Sequence, residues 1–220
     1  MHYFIIFLIL IFPQISFSQT IETKEIANAD YASVIMYHRF GDSRYPSTNI
    51  KKEQFESHIN ELIKPKYNVI DIKKALKAIN EEELINDRSI VITIDDAYSS
   101  VFDYAWPIFK KHNLPFTLFV STDVIDKKIP GYMSWEEIRI LRDNGITIGS
   151  QTKSHPHLHK LTKSQIIEEL TISNKRFINE IGSKPYFFTY PYGDYSLEVL
   201  ELVKAHEFLS AFGQNSGVDH

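Results

Sequence analysis

From residue 31 onward, short apolar segments alternate with longer segments in which apolar residues recur at helical spacing. The short segments are rich in Val, Ile and Phe and carry few polar residues on either face, which is typical of buried parallel strands. The pattern predicts seven strands, at residues 33–37, 68–70, 90–94, 116–120, 146–149, 187–189 and 208–212.

Two capping boxes indicate where helices begin. Ser134 is followed three residues later by a glutamate, and the helix it opens is predicted to end at Gly145. Thr162 opens a second helix, whose apolar stripe continues to Gly182. Further helices are predicted at residues 52–63, 100–112 and 197–206.

Strands that alternate with helices predict an α/β fold with a parallel sheet, either a (β/α) barrel or a doubly wound sheet. The chain has 220 residues, 43% of them hydrophobic. Residues 31–220 are predicted to form one domain, because no linker or internal repeat interrupts them. In both architectures functional side chains collect at the carboxyl ends of the strands, so candidate catalytic residues are expected there.

An apolar run at residues 3–12 precedes the domain. It is too short to span a bilayer, which needs roughly 20 residues. Small residues at Ser16 and Ser18 suit a cleavage site, so residues 1–18 are predicted to be a signal peptide and residues 19–30 a polar extension. A signal peptide normally begins with positively charged residues, and the start of the chain has no Lys or Arg. The alternative is therefore that the segment remains as an uncleaved anchor. It is the only part of the chain that is expected to contact a membrane. The protein is expected to be exported, whether periplasmic, in the cell envelope or secreted.

Charge and cysteine content exclude several classes of function. The net charge is −4 and there is no run of Lys or Arg, which argues against a nucleic-acid partner. The chain has no cysteine, so disulfides, thiolate metal ligands and a cysteine nucleophile are excluded.

Two adjacent acids, Asp95 and Asp96, directly follow an apolar predicted strand. Burying two carboxylates beside a β core costs several kcal/mol each unless a cation or hydrogen bonds compensate. Adjacent side chains of an extended chain point in opposite directions, so one acid is expected to hold a metal ion while the other handles protons. The alternative is an ordinary acidic turn in which one of the acids caps the next helix.

Two further clusters follow later strands. His155, His157 and His159 come after the strand predicted at 146–149, and three histidines in five residues suggest metal ligands. After the strand at 187–189, Pro191 fixes the backbone and can aim the amide of Tyr192 into a cleft. A simple turn at the end of a strand is the alternative for this last segment.

In combination these clusters resemble the polysaccharide deacetylase family, the NodB-homology group of carbohydrate esterases. The resemblance covers about residue 33 to the end of the chain. Residues 93–96 read T-I-D-D where the family has T-F-D-D, and residues 151–155 read Q-T-K-S-H where it has H-[S/T]-x-x-H. Residues 188–193 read F-T-Y-P-Y-G, a form of the third motif found in many members, and residues 37–38 match the family's Y-H start.

The resemblance implies a distorted parallel (β/α) barrel of about seven strands and a metal-dependent hydrolase. It implies that Asp95 is the general base, Asp96 a metal ligand and His155 the second histidine ligand. It also implies that the backbone amide of Tyr192 helps to form an oxyanion hole. Pro191 and Tyr190 are expected to lie against the substrate, and the cofactor is expected to be a divalent ion, zinc first, with cobalt, manganese or nickel as alternatives.

Two departures from the family pattern are visible. Gln151 stands where the family has its first metal histidine, and an amide oxygen is a poor zinc ligand. His38, His157 or His159 could compensate, and His38 is favoured because it follows the first strand of the sheet. The family's late L-x-H motif has no counterpart, which predicts a barrel truncated at the C-terminus.

Three functions remain open from the sequence. The leading hypothesis is removal of acetyl groups from an N-acetylated or O-acetylated polysaccharide at the cell envelope. The second is a catalytically impaired relative that binds a glycan. The third is hydrolysis of a non-peptide C–N bond in an amide that is not a sugar.

Overall fold

The computed structural model describes residues 28–29, 31–81 and 83–214. The predicted signal peptide at 1–18 and nearly all of the polar extension at 19–30 lie outside the described residues. Within the part of the chain that is described, no helix combines the length and apolar character needed to cross a membrane.

Seven parallel strands form one sheet, as the hydrophobic pattern predicts. They are β2 (Ser33–Tyr37), β5 (Asn68–Val69), β7 (Ser89–Ile94), β8 (Thr117–Val120), β9 (Thr147–Ser150), β10 (Phe187–Thr189) and β11 (Ser210–Phe212). The order is β11-β10-β9-β8-β7-β2, with β5 paired to the first residues of β7. The sheet curls into a half-barrel, so the predicted parallel (β/α) barrel fold is confirmed.

Four short strands form two pairs outside this sheet. β1 (Asn28–Ala29) is antiparallel to β6 (Ile85–Asn86), and β3 (Arg39–Phe40) is parallel to β4 (Asn49–Ile50). The second pair follows β2 and contributes to one wall of the cleft described below.

Helices connect the parallel strands. They are α1 (Lys52–Leu62), α2 (Ile72–Asn80), α3 (Trp106–Lys111), α4 (Thr122–Asp126), α5 (Trp135–Asp143), α6 (Lys163–Ile181) and α7 (Leu197–Ala205), with a π-helical turn at Val101–Ala105 leading into α3. Both predicted capping boxes are present, at Ser134 before α5 and at Thr162 before α6. α6 ends at Gly182 in the left-handed conformation, where a residue without Cβ avoids strain. The sequence pattern missed α2 and α4.

The central strand β7 is buried at all six positions, which explains why its sequence is apolar on both faces. On β9, which is separated from β7 by β8, the absence of a side chain at Gly149 lets the Phe119 ring pack against the backbone. A Cβ at this glycine would lie 2.4 Å from Phe119 Cδ1 and 3.0 Å from the Phe187 carbonyl oxygen. This packing holds β8, β9 and β10 together directly below the residues that follow β9.

Candidate active site

An open cleft of about 850 Å³ lies at the carboxyl edge of the sheet. Loops that follow β2, β7, β9 and β10 contribute to its lining, as expected for a parallel (β/α) fold. Side chains relevant to its chemistry are His38, Asp96, Tyr98, Tyr132, His155 and Tyr192.

Asp95 lies at the end of β7 and is 1% exposed. Its backbone N–H donates to the Tyr37 carbonyl oxygen at 2.9 Å, which continues the pairing of β7 with β2. The carboxylate Oδ2 has no hydrogen-bond partner among the described residues. Burial, and secondarily the charge of Asp96, raise the pKa of Asp95 well above its ordinary value. A raised pKa makes the carboxylate form of Asp95 a stronger base, which is the property a general base needs.

The backbone turns sharply after Asp95. Asp96 and Ala97 have φ angles of 71° and 52°, so both are in the left-handed region that non-glycine residues rarely adopt. The sequence analysis expected an extended backbone at both acids. This was wrong for Asp96, because the strand ends at Ile94 and the left-handed turn determines the direction of the Asp96 side chain. The described helical segment that follows has Ser100 rather than either acid at its N-cap, so the capping alternative is not observed.

Asp96 is paired with His155. The Nε2 atom of His155 lies 3.3 Å from Asp96 Oδ1. Burial alone would raise the pKa of Asp96, but the hydrogen bond and charge of His155, with smaller contributions from His38 and Tyr98, outweigh it and lower the pKa. Asp96 is therefore held as a carboxylate beside an imidazole, and both can donate electron pairs to a cation.

Gln151 lies at the end of β9 and is 1% exposed. Its Oε1 accepts a hydrogen bond from the backbone N–H of Asp96 at 3.2 Å. The amide oxygen thus reaches the turn that carries Asp96 and supports its left-handed backbone. Gln151 thus lies beside Asp96, the predicted metal ligand, but one lone pair of its amide oxygen already accepts the hydrogen bond from the Asp96 N–H.

His38 follows β2 and is half-buried in the same cleft. Burial lowers the pKa of His38, opposed by the charge of Asp96, while His155 and Arg39 lower it further. His38 is thus electrostatically coupled to the pair formed by Asp96 and His155. The neutral imidazole favoured by burial is the form that binds metal ions.

The pair formed by Asp96 and His155 fits a zinc-like ion. Ligand bonds of about 2.0–2.1 Å in a tetrahedral site put neighbouring ligand atoms about 3.3 Å apart, and the pair matches this separation. Among the described residues, no trio of His, Asp or Glu that includes this pair brings its ligand atoms within 4.8 Å of one another. The described residues thus offer two candidate ligand atoms at this separation, with Gln151 and His38 as the further candidates named by the sequence.

The third predicted cluster is divided between the cleft and the core. Tyr192 lines the cleft, is 48% exposed and places its ring edge-on to His155 with 4.6 Å between ring centroids. Tyr192 lies inside a short 3-10 turn at Pro191–Gly193 and has a φ angle of 60°. Pro191 is buried, and Tyr190 is 4% exposed and packs against Phe188. Among the described residues Tyr190 belongs to the core beneath the cleft rather than to its lining, so a direct substrate contact stays a prediction.

Tyr98 was not predicted as a site residue. It contributes to the lowering of the Asp96 pKa, its ring lies 4.8 Å from that of Tyr132, and the Arg39 guanidinium group stacks 3.4 Å above its ring. Burial, and then the charge of Asp96, raise the pKa of Tyr98. The only signal in the sequence is an aromatic residue two positions after the acid pair, which does not distinguish a site residue from a core residue.

The histidines that follow β9 separate into two groups. His155 joins Asp96, whereas His157 and His159 gather at Asp194, which follows the turn after β10. In the described residues, compensation for Gln151 by His157 or His159 is therefore not observed.

A half-barrel of parallel strands with an acid pair and a histidine at its carboxyl edge defines the NodB-type (β/α) barrel. The family model described as polysaccharide deacetylase matches residues 85–210. The chain therefore belongs to the polysaccharide deacetylase family.

Curated relatives agree with this family. The chain is 28% identical over 168 residues to "Putative polysaccharide deacetylase YxkH" of Bacillus subtilis, covering 76% of the chain and 59% of the relative. It is 23% identical over 194 residues to the poly-beta-1,6-N-acetyl-D-glucosamine N-deacetylase of Staphylococcus aureus, covering 81% of the chain and 66% of the relative. The chain thus spans about three fifths to two thirds of the length of these relatives.

Solved structures show the same fold. The deacetylase PplD of Streptococcus pyogenes, in complex with acetate, superposes with a TM-score of 0.78 at 17% identity over 84% of each chain. IcaB from Ammonifex degensii superposes with a TM-score of 0.72 at 24% identity over 82% of each chain.

Proposed function

We propose that this protein hydrolyses acetyl groups from an N-acetylated polysaccharide. The observation that carries the proposal is the buried Asp95 carboxylate, whose Oδ2 lacks a partner among the described residues, next to the pair formed by Asp96 and His155. Burying a carboxylate without a partner costs free energy, and groups perturbed in this way are typical of functional sites. Membership of the polysaccharide deacetylase family, and similarity to a protein named for deacetylating poly-beta-1,6-N-acetyl-D-glucosamine, support the acetylated glycan as substrate.

A divalent ion would be held by Asp96 and His155, with Gln151 or His38 as the third protein ligand. Zinc is the first choice, because imidazole and carboxylate ligands suit it, and cobalt, manganese or nickel are alternatives. When bound, such an ion supplies Lewis-acid polarisation of the acetyl carbonyl group and makes a bound water more acidic.

The chain's own residues would then position and move the proton. Asp95 Oδ2 is free to accept a proton from the attacking water, and its raised pKa matches the role of base. The backbone N–H of Tyr192 would donate to the developing oxyanion, and such a donor typically contributes about 3–4 kcal/mol. The rings of Tyr132 and Tyr192, which line the cleft and are not fully buried, offer apolar faces on which sugar rings can stack.

We further propose that the protein acts outside the cytoplasm, at the cell envelope or as a secreted enzyme. The apolar run at residues 3–12 supports this, because it has the length of a signal-peptide core. If this segment is not cleaved, it would be the membrane attachment.

One observation favours a second candidate function. Gln151 Oε1 already accepts a hydrogen bond from the Asp96 backbone, so this oxygen is a weaker metal ligand than the histidine of the family pattern. A relative that binds acetylated glycan without turnover is therefore the alternative.

An assay of acetate release separates these candidates. The full chain, stripped with a chelator and resupplied with zinc, cobalt, manganese or nickel, is incubated with β-1,4- and β-1,6-linked N-acetylglucosamine oligomers and with small non-sugar acetamides. We expect metal-restored acetate release from an oligomer, and a strongly reduced rate from the Asp95→Asn variant. Glycan binding without acetate release under any metal would favour the binding relative, and turnover of the small acetamides alone would overturn the glycan assignment.

A further inference from the structure

His157, His159 and Asp194 form a second cluster of ligand atoms, here called the His–His–Asp cluster. His157 Nδ1 lies 3.1 Å and His159 Nδ1 lies 4.0 Å from Asp194 Oδ2. The ligand atoms of the three residues all lie within 4.8 Å of one another, and no other trio of His, Asp or Glu in the described ranges is as compact. All three side chains are partly exposed, so an ion can reach them without unfolding the chain.

We propose that the His–His–Asp cluster binds a divalent transition-metal ion, at a site separate from Asp96 and His155. Two imidazoles and one carboxylate suit zinc, nickel, cobalt or copper, whereas magnesium and calcium prefer oxygen ligands alone. Neighbouring ligand atoms in a tetrahedral zinc site are about 3.3 Å apart. His157 and Asp194 are already at this separation, and His159 reaches it by a shift of about 1 Å, leaving a fourth position for water.

The backbone holds the three ligands in place before an ion arrives. His157 and His159 flank the buried Leu158 in the 3-10 turn Leu158–Lys160. Asp194 follows the 3-10 turn at Pro191–Gly193, and its N–H donates to the Pro191 carbonyl oxygen. The His157 ring is also stacked on Tyr192, with 3.9 Å between ring centroids and 16° between the planes.

A solvated ion pair between His157 and Asp194 is the simpler explanation of the shortest contact. Such a pair contributes little stability at a surface, and it does not require His159. A metal site, in contrast, explains why a second imidazole, that of His159, lies beside the same oxygen of Asp194.

Metal binding here would join two segments that also carry residues of the cleft. His157 is two residues beyond His155, and Asp194 is two residues beyond Tyr192, which contacts both histidine rings. An ion in the His–His–Asp cluster would therefore fix the position of Tyr192 relative to His155.

The test is the zinc content of the full chain. Wild type and the variants His159→Asn, Asp194→Asn, His155→Ala and His112→Asn are dialysed against zinc and analysed by elemental mass spectrometry, with circular dichroism as the check on folding. His112 is the matched control, because it ends α3 and has no part in either site. Magnesium in place of zinc is the control for selectivity.

We expect His159→Asn and Asp194→Asn each to lose the one equivalent of zinc that is bound at the His–His–Asp cluster. Wild type, His112→Asn and His155→Ala should keep this equivalent. In ¹⁵N spectra of the wild-type imidazoles, zinc should shift Nδ1 of His157 and His159. Equal zinc content and affinity in wild type, His159→Asn and Asp194→Asn would overturn the proposal, as would loss of the same single ion in both His155→Ala and His159→Asn. The measurement is of bound metal and does not depend on enzymatic activity. If the protein binds zinc at the His–His–Asp cluster but releases no acetate, the proposed deacetylation is refuted and the metal site is not.

Discussion

Replacing Gln151 by histidine supplies the imidazole that the family's second motif has at this position. In the present chain the Gln151 side chain is almost fully buried, and its oxygen accepts the Asp96 N–H at 3.2 Å. Losing a partner of a buried backbone donor costs about 1–3 kcal/mol. We therefore expect the metal-free Gln151→His variant to have a free energy of unfolding about 1–3 kcal/mol below that of wild type.

Zinc should reverse this order. Imidazole is a better zinc ligand than an amide oxygen, so the variant should bind zinc more tightly than wild type does. At a zinc concentration one hundred times the variant's dissociation constant, binding adds about 2.7 kcal/mol to the stability. This gain is comparable to the expected loss of stability. At a zinc concentration too low to load the wild-type site, the free energy of unfolding of the variant should therefore equal or exceed that of wild type.

The assay uses the Asp194→Asn background, so that zinc at the His–His–Asp cluster does not contribute. It is urea unfolding with a chelator and again with buffered zinc, together with competition against a coloured chelator to obtain the zinc affinity. Gln151→Asn is the matched control, because it shortens the amide and breaks the hydrogen bond without adding an imidazole. It should lose stability in both conditions. If Gln151→His binds zinc no more tightly than Gln151→Asn and wild type, then position 151 does not face the metal and the site assignment is refuted.

Three further predictions concern chemistry and stability. Asp95→Asn should lower the rate of acetate release by about 10²–10⁴-fold, the usual contribution of a positioned base, and a rate near that of wild type would remove Asp95 from the mechanism. Gly149→Ala should lower the free energy of unfolding by about 1–3 kcal/mol, because the added Cβ meets Phe119 at 2.4 Å; urea unfolding measures this, and an unchanged midpoint would contradict the packing. Ser134→Ala should cost about 1 kcal/mol in the same assay, because the hydroxyl group accepts the Glu137 N–H at the start of α5, whereas an exposed serine outside a cap should show no loss.

The strands and the capped helices could be predicted from local pattern alone. A buried parallel strand such as β7 must be apolar on both faces, and a capping box is written into four consecutive residues. α2 and α4 were missed for local reasons. α2 buries only Ile72, Ala75 and Ala78, two of which are small, and α4 is five residues long.

The candidate site was predictable in part. Acids that directly follow a buried strand are conspicuous in the sequence, so Asp95 and Asp96 could be predicted as candidates, and the structure places both at the end of β7. The left-handed backbone at Asp96 and the hydrogen bond from its amide to Gln151 depend on how β7 and β9 are spaced, which local pattern does not contain. The contact between His157 and Asp194 joins residues 37 positions apart and could not be read from either segment.

We propose above that Asp95 is the base in the hydrolysis of acetamide groups on a glycan, with Asp96 and His155 as the metal ligands. The most direct measurement is the time course of acetate release from a β-1,6-linked N-acetylglucosamine oligomer by zinc-loaded wild type, Asp95→Asn and Gln151→His. We expect acetate from wild type, faster release from Gln151→His at limiting zinc, and almost none from Asp95→Asn. Equal release from wild type and Asp95→Asn would contradict the proposal.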